Sequence, residues 1–427
     1  MRIILSSSVL ALTSLIISPA LASSADATAR SVRATKAFHT IEASIGGDYD
    51  RIVADAIKLT EIPAPTFKEA DRAAAFADML RTAGLKNVSQ DAAGNVLGLR
   101  KGSGKGPLLV VVAHMDTVFP EGTAVKVRRE GNMLYAPGIG DDSFALSVLA
   151  AYVRALAASK VSTASDILFM GSVGEEGLGN LRGMHELLDK GPYAGKVGSV
   201  IVLEPAAPGQ MITTAVGSNR YKVTFTGPGG HSFSDFGTVN PAYAMAGAIT
   251  AFSRIKVDPA TRTTYNIGTV VGGTSVNAIP YEVSMTVDMR SNDADALQAL
   301  DTRFHAVLDE AKAAENAARS TAKGAIAVTA DVIGIRPAGH MAPDAPLIER
   351  ASAAMRSGGL TPRYDAHGTD ANLPMSMGIP SIVIGHGIRS EKGHSLEEFV
   401  ALDEPHDVPN MATALLAILL QAGIKAR

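Results

Sequence analysis

Residues 107–113, with the sequence PLLVVVA, decide the fold, and they run directly into His114, Met115 and Asp116. A short apolar run that is rich in β-branched residues and bounded by Gly and Pro is too brief for a helix and predicts a buried strand. Ligands bind at the carboxyl ends of strands in open α/β sheets. The run therefore predicts a strand that carries His114 and Asp116 to a functional edge of such a sheet.

Further segments continue this pattern along the chain. Short apolar runs predict strands, and longer segments rich in Ala and Leu predict helices. The predicted strands are residues 166–173 (DILFMGSV), 198–203 (GSVIVL) and 381–384, and the predicted helices are residues 143–159 and 410–422. Continuous apolar strands separated by helices favour an α/β fold with a mostly parallel sheet that helices cover on both faces.

The segment at residues 217–332 has a different character, because polar and apolar residues alternate in its strands. The predicted strands are residues 220–225, 264–270, 281–288 and 325–332, and the predicted helices are residues 241–255 and 294–313. This order favours an α+β unit with its helices on one face of the sheet. The simplest organisation is one main α/β domain interrupted by an inserted α+β domain.

The N-terminus has the pattern of an export signal. Arg2 precedes an apolar run at residues 3–17, and Ala20-Leu21-Ala22 matches the small-x-small pattern of a cleavage site. We therefore expect a periplasmic or secreted protein, with no later stretch long and apolar enough to cross a bilayer. The predicted parts are a signal peptide (1–22), a flexible leader (23–45), the main domain (46–216 and 333–427) and the inserted domain (217–332).

The composition narrows the function classes. The chain has 427 residues, 39 Lys and Arg against 42 Asp and Glu, and a formal net charge of −3, so it lacks the basic footprint of nucleic-acid binding proteins. Hydrophobic residues make up 46% and charged residues 19%, which is typical of a globular protein. Cysteine is absent, so any metal must be held by nitrogen and oxygen ligands.

Carboxylates and imidazoles gather where the predicted strands end. Each has an ordinary explanation on its own, since a histidine at a strand end is often a satisfied polar residue and acidic residues before a helix can cap it. Two adjacent carboxylates at the end of an apolar strand are costly without a positive partner. Together the residues favour two divalent ions, with Zn²⁺ first and Co²⁺ or Mn²⁺ compatible. The residues are His114, Asp116, Asp141, Asp142, Glu175, Glu176, Glu204 and His394.

These motifs resemble, in order, those of the co-catalytic zinc metallopeptidases that include glutamate carboxypeptidase, peptidase T, aminoacylase and succinyl-diaminopimelate desuccinylase. The resemblance covers nearly all of the chain after the signal. It implies a phosphorylase/hydrolase-like catalytic domain with an inserted ferredoxin-like lid and dimerisation domain. The implied roles are one metal bound by His114 and Glu204, a bridging Asp141, the other metal bound by Glu176 and His394, Glu175 as general base, and Asp116 orienting His114.

The inserted domain contributes further implied residues. Gly227-Pro228-Gly229-Gly230-His231-Ser232 is similar to the motif whose histidine polarises the scissile carbonyl in the partner subunit of a dimer. Asn277 matches a residue that positions substrate, and Arg290 one that contacts a substrate carboxylate. Without the resemblance, Gly-rich turns mostly reverse the chain, and Arg290 could form an ordinary surface ion pair. Whether Asp370 or His386 contacts substrate stays open, and Ser143-Phe144 departs from the Lys-Gly or Lys-Ala found in many members.

The predicted function is an exported dinuclear-metal hydrolase that cleaves short peptides, as a di/tripeptidase or carboxypeptidase, and works as a homodimer through the lid domain. An N-acyl amino acid deacylase with the same site is the alternative within the enzyme class. The alternative from another class is a periplasmic protein that binds peptides without cutting them. That protein would need neither a tightly bound metal nor Glu175.

Overall fold

The computed structural model describes residues 24–424, so the predicted signal peptide lies outside the described residues. The helices are α1 (Ser24–Arg33), α2 (Lys36–Gly47), α3 (Tyr49–Thr60), α4 (Ala70–Thr82), α5 (Ala145–Ser159), α6 (Arg182–His185), α7 (Pro241–Phe252), α8 (Ala294–Ala318), α9 (Pro346–Ser357), α10 (Asn372–Ser376) and α11 (Glu404–Gln421). The strands are β1 (Val88–Gln90), β2 (Val96–Arg100), β3 (Leu108–His114), β4 (Arg128–Glu130), β5 (Met133–Tyr135), β6 (Ile167–Ser172), β7 (Val197–Glu204), β8 (Gln210–Ala215), β9 (Gly217–Thr226), β10 (Gly230–His231), β11 (Thr264–Gly272), β12 (Ala278–Ile279), β13 (Glu282–Ser291), β14 (Ala327–Arg336), β15 (Gly339–His340), β16 (Arg363–His367), β17 (Ser381–Gly385), β18 (Arg389–Glu391) and β19 (Phe399–Ala401).

The main sheet has the order β1-β2-β6-β3-β7-β17-β8-β15, and β16 also pairs with β8. Its centre is parallel, because β3 pairs in parallel with β6 and β7, and β17 with β7. The prediction of a mostly parallel sheet is correct for this centre, but β2 and β6 pair antiparallel, as do β17 and β8. A strand that is buried on both faces is apolar along its length whether it pairs parallel or antiparallel with its neighbour. The sequence therefore could not distinguish parallel from antiparallel pairing.

Helix α5 lies in the core of the main domain and packs against β3, α2 and α3. The buried Tyr152 donates a hydrogen bond to the Met411 carbonyl at 2.8 Å, which ties α5 to α11. With the π-helical turn before it, the segment Ile139–Ser159 is long and apolar enough to cross a membrane by length and composition. We expected no such stretch after the signal, and most of this one is buried within the protein.

The prediction of a flexible leader at residues 23–45 is wrong for its described part, which forms α1 and most of α2. Phe38, Ile41 and Ile45 lie on one face of α2 and are buried against α5 and α11. The hydroxyl of Thr35 accepts a hydrogen bond from the Phe38 amide at 3.2 Å and caps the helix. The leader has many Ala and Ser residues, but its apolar residues recur with a helical period and supply the face that packs.

The inserted unit has a four-stranded antiparallel sheet with the order β11-β13-β9-β14. Helices α7 and α8 pack against this sheet through a separate apolar cluster that includes Phe225, Met285 and Phe304. Strand β14 runs to Arg336 and so extends past the predicted end at residue 332. The extension carries Arg336 back to the edge of the main domain.

A small antiparallel sheet, β18-β19-β5-β4, lies beside the main sheet. Strand β19 pairs with β5, and the loop between β18 and β19 contains His394. The turn that contains Asp141 follows β5. This sheet therefore places two distant parts of the chain next to each other.

Candidate active site

The predicted site residues meet at the carboxyl ends of the central parallel strands. Strand β3 ends at His114, β7 ends at Glu204, and the loop after β6 contains Glu175 and Glu176. Together with Asp141 and His394 they line one cavity of about 530 Å³ between the main domain and the inserted unit. Residues that lie far apart in the sequence thus face a common space.

Imidazole and carboxylate groups alternate across this cavity. His114 Nε2 lies 2.8 Å from Asp141 Oδ1, and His394 Nε2 lies 3.1 Å from Asp141 Oδ2. His394 Nε2 is also 3.0 Å from Glu176 Oε1. Asp141 therefore lies between the two histidines, as a carboxylate shared by two metal ions would.

The donor atoms form two overlapping groups, each with its atoms within 4.8 Å of one another. One group is Asp141, Glu176 and His394, and the other is His114, Glu175 and Glu176. Glu204 lines the cavity but belongs to neither group, and its buried Oε1 has no hydrogen-bond partner in the described part of the chain. A buried carboxylate oxygen without a partner is costly and is available to bind a cation.

The pKa values of the buried carboxylates also favour the binding of a cation. Burial raises the pKa of Glu176 to about 7, and burial together with the Glu175 carboxylate raises the pKa of Glu204 well above its usual range. Burial would raise the pKa of Asp141 as well, but hydrogen bonds with His114 and His394 lower it. Several carboxylates in one buried space cannot all ionise easily unless positive charge compensates them. Nitrogen and oxygen donors of this kind suit two divalent ions.

Asp116 acts mainly on the backbone around the Glu175-Glu176 pair. Its carboxylate accepts hydrogen bonds from the amides of Glu175 at 3.0 Å and Glu176 at 2.9 Å, and from the Thr66 hydroxyl at 2.9 Å. The ring of His114 donates from Nδ1 to the backbone carbonyl of Asp116 at 2.9 Å, whereas the carboxylate is 3.8 Å away. Asp116 thus holds His114 through its carbonyl and the glutamate pair through its side chain.

Arg336 is a further residue of the candidate site, and it was not predicted from the sequence. Its side chain is mostly buried, and Nη1 donates to Glu175 Oε1 at 2.8 Å. A second guanidinium nitrogen donates to the Glu175 carbonyl. The only signal in the sequence was a lone arginine just past a predicted strand, and the extension of β14 gives it its position.

A second group of charges lies on the inserted-unit wall of the same cavity. Asp288 Oδ1 is 2.9 Å from Arg220 Nε, and Asp288 Oδ2 is 2.8 Å from Arg290 Nε. Burial alone would raise the pKa of Asp288, but hydrogen bonds from Arg290 and Arg220 lower it. With Arg336, three guanidinium groups line the cavity, of which only Arg290 could be predicted from the sequence.

His231 and Asn277 lie together but away from the cavity of their own chain. His231 lies in β10 and faces Ala278 of β12, Asn277 directly precedes β12, and the side chains of His231 and Asn277 are exposed. The Nδ1 atom of His231 accepts hydrogen bonds from the amides of Phe233 at 3.2 Å and Ser234 at 3.4 Å. Because Nδ1 accepts these bonds, the ring carries a proton on Nε2, and Nε2 is available as a donor.

Asp370 and His386 are fully buried, and neither lines the cavity. Burial lowers the pKa of His386 to about 4, and its ring stacks on Phe144 with centroids 6.2 Å apart. Asp370 accepts a hydrogen bond from Ser172 at the end of β6. Neither residue therefore lies where it could contact a substrate in this cavity.

Comparison with known proteins gives a consistent match. The model of Peptidase family M20/M25/M40 matches residues 110–421. The uncharacterized protein YqjE of Bacillus subtilis is 25% identical over 395 residues, which cover 86% of this chain and 97% of that protein. A succinyl-diaminopimelate desuccinylase of Nitrosospira multiformis is 24% identical over 347 residues, which cover 75% of this chain and 85% of that protein.

Solved structures have the same fold. A tripeptidase from Staphylococcus aureus matches with a TM-score of 0.70 at 22% identity, over 87% of this chain and 98% of that chain. YXEP from Bacillus subtilis, described as a dinuclear metal binding peptidase, matches with a TM-score of 0.62 at 18% identity, over 91% of this chain and 100% of that chain. At these identities the likeness concerns the fold alone.

Proposed function

The chain belongs to peptidase family M20/M25/M40, and on that premise we propose that it hydrolyses the amide bonds of short peptides with two bound divalent ions. Membership confirms the prediction of a hydrolase that acts on amide bonds and counts against the non-catalytic binding protein. The observation that carries the proposal is the position of Asp141 between His114 and His394, with Glu176 beside it. We take Zn²⁺ as the first candidate metal.

The proposed ligands of one ion form one of the two groups of donor atoms, and Glu204 is added to His114 because its buried Oε1 has no hydrogen-bond partner in the described part of the chain. Asp141, Glu176 and His394 would hold one ion, and His114 with Glu204 would hold the other while sharing Asp141. When bound, such ions would lower the pKa of a bound water towards about 7, so that hydroxide is available near neutral pH.

Glu175 is the proposed general base. It lies next to a proposed ligand, lines the cavity, and its carboxylate is held by Arg336. In this role it takes a proton from the attacking water and delivers it to the departing amine. The guanidinium of Arg336 keeps the carboxylate oriented through one oxygen, so the other oxygen remains available to the water.

The arginines on the inserted-unit wall of the cavity favour a substrate that carries a free carboxylate close to the scissile bond. Arg290 and Arg220 share one carboxylate partner, Asp288, so their combined charge is not fully balanced. A guanidinium fork suits a carboxylate. A dipeptide, a tripeptide cut at its carboxyl end or an N-acyl amino acid would all offer this group, so the deacylase alternative shares the wall.

The inserted unit is proposed to act as a ferredoxin-like lid and dimerisation domain. His231 and Asn277 are exposed and lie away from the cavity of their own chain. If a second copy supplied them, the Nε2–H of His231 would donate to the oxyanion that forms during hydrolysis. We also propose export to the periplasm or beyond, which rests on the N-terminal sequence pattern.

The test is a substrate panel together with metal analysis. Purified protein is incubated with dipeptides, tripeptides and N-acyl amino acids, with and without a chelator, and the products are identified by mass spectrometry. We expect release of an amino acid from short peptides, loss of this activity on chelation, and two metal ions per chain. Cleavage of the N-acyl compounds alone would favour the deacylase, and turnover that survives complete metal removal would refute the proposal.

A further inference from the structure

Glu398 is a fully buried glutamate that does not line the cavity. Its carboxylate accepts three backbone hydrogen bonds from one turn. The donors are the amides of Gly138 at 2.9 Å, Gly140 at 2.8 Å and Asp141 at 2.9 Å. A buried carboxylate is costly, and three converging donors offset that cost.

The turn is shaped to approach Glu398 closely. A Cβ atom on Gly140 would lie 1.9 Å from the Ser390 hydroxyl and 3.3 Å from Glu398 Oε1. Gly138 has a φ angle of 77°, in the left-handed region that favours glycine. The glycines of the Gly138-Ile139-Gly140-Asp141 segment therefore let its backbone reach one carboxylate.

Glu398 belongs to the same loop as His394. Its amide donates to the Ser395 carbonyl at 3.1 Å, and its carbonyl accepts from the Ala136 amide at 3.1 Å. Through its side chain and its backbone, Glu398 thus joins the segment that contains Asp141 to the loop that contains His394. These two residues face the same proposed metal ion, with their side chains 3.1 Å apart.

We propose that Glu398 is a positioning residue that fixes the distance between Asp141 and His394 and thereby sets the affinity for the ion they share. This inference rests on the proposed dinuclear site. Groups that orient metal ligands typically contribute about 10- to 100-fold to metal affinity. Glu398 itself touches neither substrate nor metal in this scheme.

The experiment compares Glu398→Gln with the matched control Glu397→Gln. Glu397 is the adjacent residue, is exposed, and pairs with Lys392 at 2.5 Å. Metal is removed from each full-length protein, and Zn²⁺ is titrated back by calorimetry with the thermal midpoint followed in parallel. For Glu398→Gln we expect one of the two ions to bind about 10- to 100-fold more weakly, with a smaller metal-induced rise in the midpoint.

The outcomes separate this inference from the proposed function. If wild type and Glu397→Gln bind two ions and Glu398→Gln binds both equally well, Glu398 has no positioning role. Equal weakening of both ions would point to a general structural role and would also overturn the inference. If wild type binds no ion pair, the proposed function itself fails. Should Glu398→Gln not fold, Glu398→Asp keeps the charge with a shorter reach, and a selective loss of one ion is again the expected result.

Discussion

Glu175 has two neighbours of opposite character, the carboxylate Glu176 and the guanidinium of Arg336. The ion pair with Arg336 at 2.8 Å holds the side chain in place across the boundary between the main domain and the inserted unit. Glu175→Gln separates the role of this residue as a base from its role in this contact. The amide oxygen of the substituted side chain can still accept a hydrogen bond from Arg336, but it cannot take a proton from water.

Glu175→Gln is therefore expected to retain its metal while losing turnover. General-base catalysis typically contributes about 10²- to 10⁴-fold, so kcat should fall by this amount. The checks are metal content by mass spectrometry and initial rates on a cleaved dipeptide. The exposed Glu121→Gln serves as control, and ordinary turnover in Glu175→Gln would remove Glu175 from the mechanism.

Asp288 gives a prediction about pH. Hydrogen bonds from Arg290 and Arg220 lower its pKa in the folded protein despite burial, so the ion pairs stabilise the fold above the unfolded value of about 3.9. That stability is lost as the pH falls through the lowered folded value. Asp288→Asn should cost about 1 kcal/mol of unfolding free energy, a cost limited by partial exposure.

The measurement is denaturant unfolding of wild type and Asp288→Asn from pH 7 down to pH 3. The difference in unfolding free energy should stay constant between pH 7 and 5 and shrink below about 3.9. Asp331→Asn, on the exposed part of β14, is the control. A difference that grows as the pH falls would contradict the assigned ion pairs.

The residue scale also shows what sequence patterns can and cannot find. His114, Asp141, Glu175, Glu176, Glu204 and His394 could be identified because each follows a strand or lies in a glycine-rich loop. Arg336 and Glu398 could not, since a single charged residue at a strand end or beside other acids has no distinct pattern. Their partners lie 161 and more than 250 residues away in the chain.

Among the elements, α1 and α2 differ most from expectation. These helices cover α9, α11 and α5, and Arg33 donates to the Thr413 hydroxyl at 2.7 Å. A region with this packing contributes to the main core. The segment is rich in Ala and Ser, so its short apolar stripe does not stand out in the sequence. The stripe can be recognised only when the helices that it packs against are known.

Phe38→Ala measures how much this element contributes. The ring is fully buried, and removal of a buried Phe side chain costs about 3–5 kcal/mol of unfolding free energy. Urea unfolding of the purified variant gives the value. Lys36→Ala, at an exposed position of the same helix, should change it by less than about 0.5 kcal/mol. Equal stability of the two variants would mean that α2 does not belong to the folded core in solution.

For the whole molecule, the central question is whether one chain forms a complete site. The cavity brings together the proposed ligands, Glu175 and the arginine wall, whereas His231 and Asn277 lie elsewhere on the surface. We propose a twofold dimer in which each copy supplies this pair of residues to the cavity of the other, since symmetry makes the two contacts equivalent.

Mixing two inactive variants tests this arrangement. His231→Ala and Glu175→Gln are each expected to be nearly inactive alone. If His231 acts across the dimer, a mixed dimer has one intact site, and random mixing restores about a quarter of wild-type activity. Subunits are co-expressed with different tags and assayed on a dipeptide. If the mixture stays inactive while mixed dimers are present, His231 acts within its own chain or not at all.

The sequence by itself determined the class of fold and indicated most residues of the candidate site. Strand runs, the residues that follow them and the absence of cysteine are local properties, and local properties can be read along the chain. Only the tertiary structure decided that Asp141 meets His394, that Arg336 holds Glu175, that Glu398 joins two loops, and that most of residues 24–47 are helical. The physical reason is that these contacts depend on strand order and packing between distant segments, which no local pattern specifies.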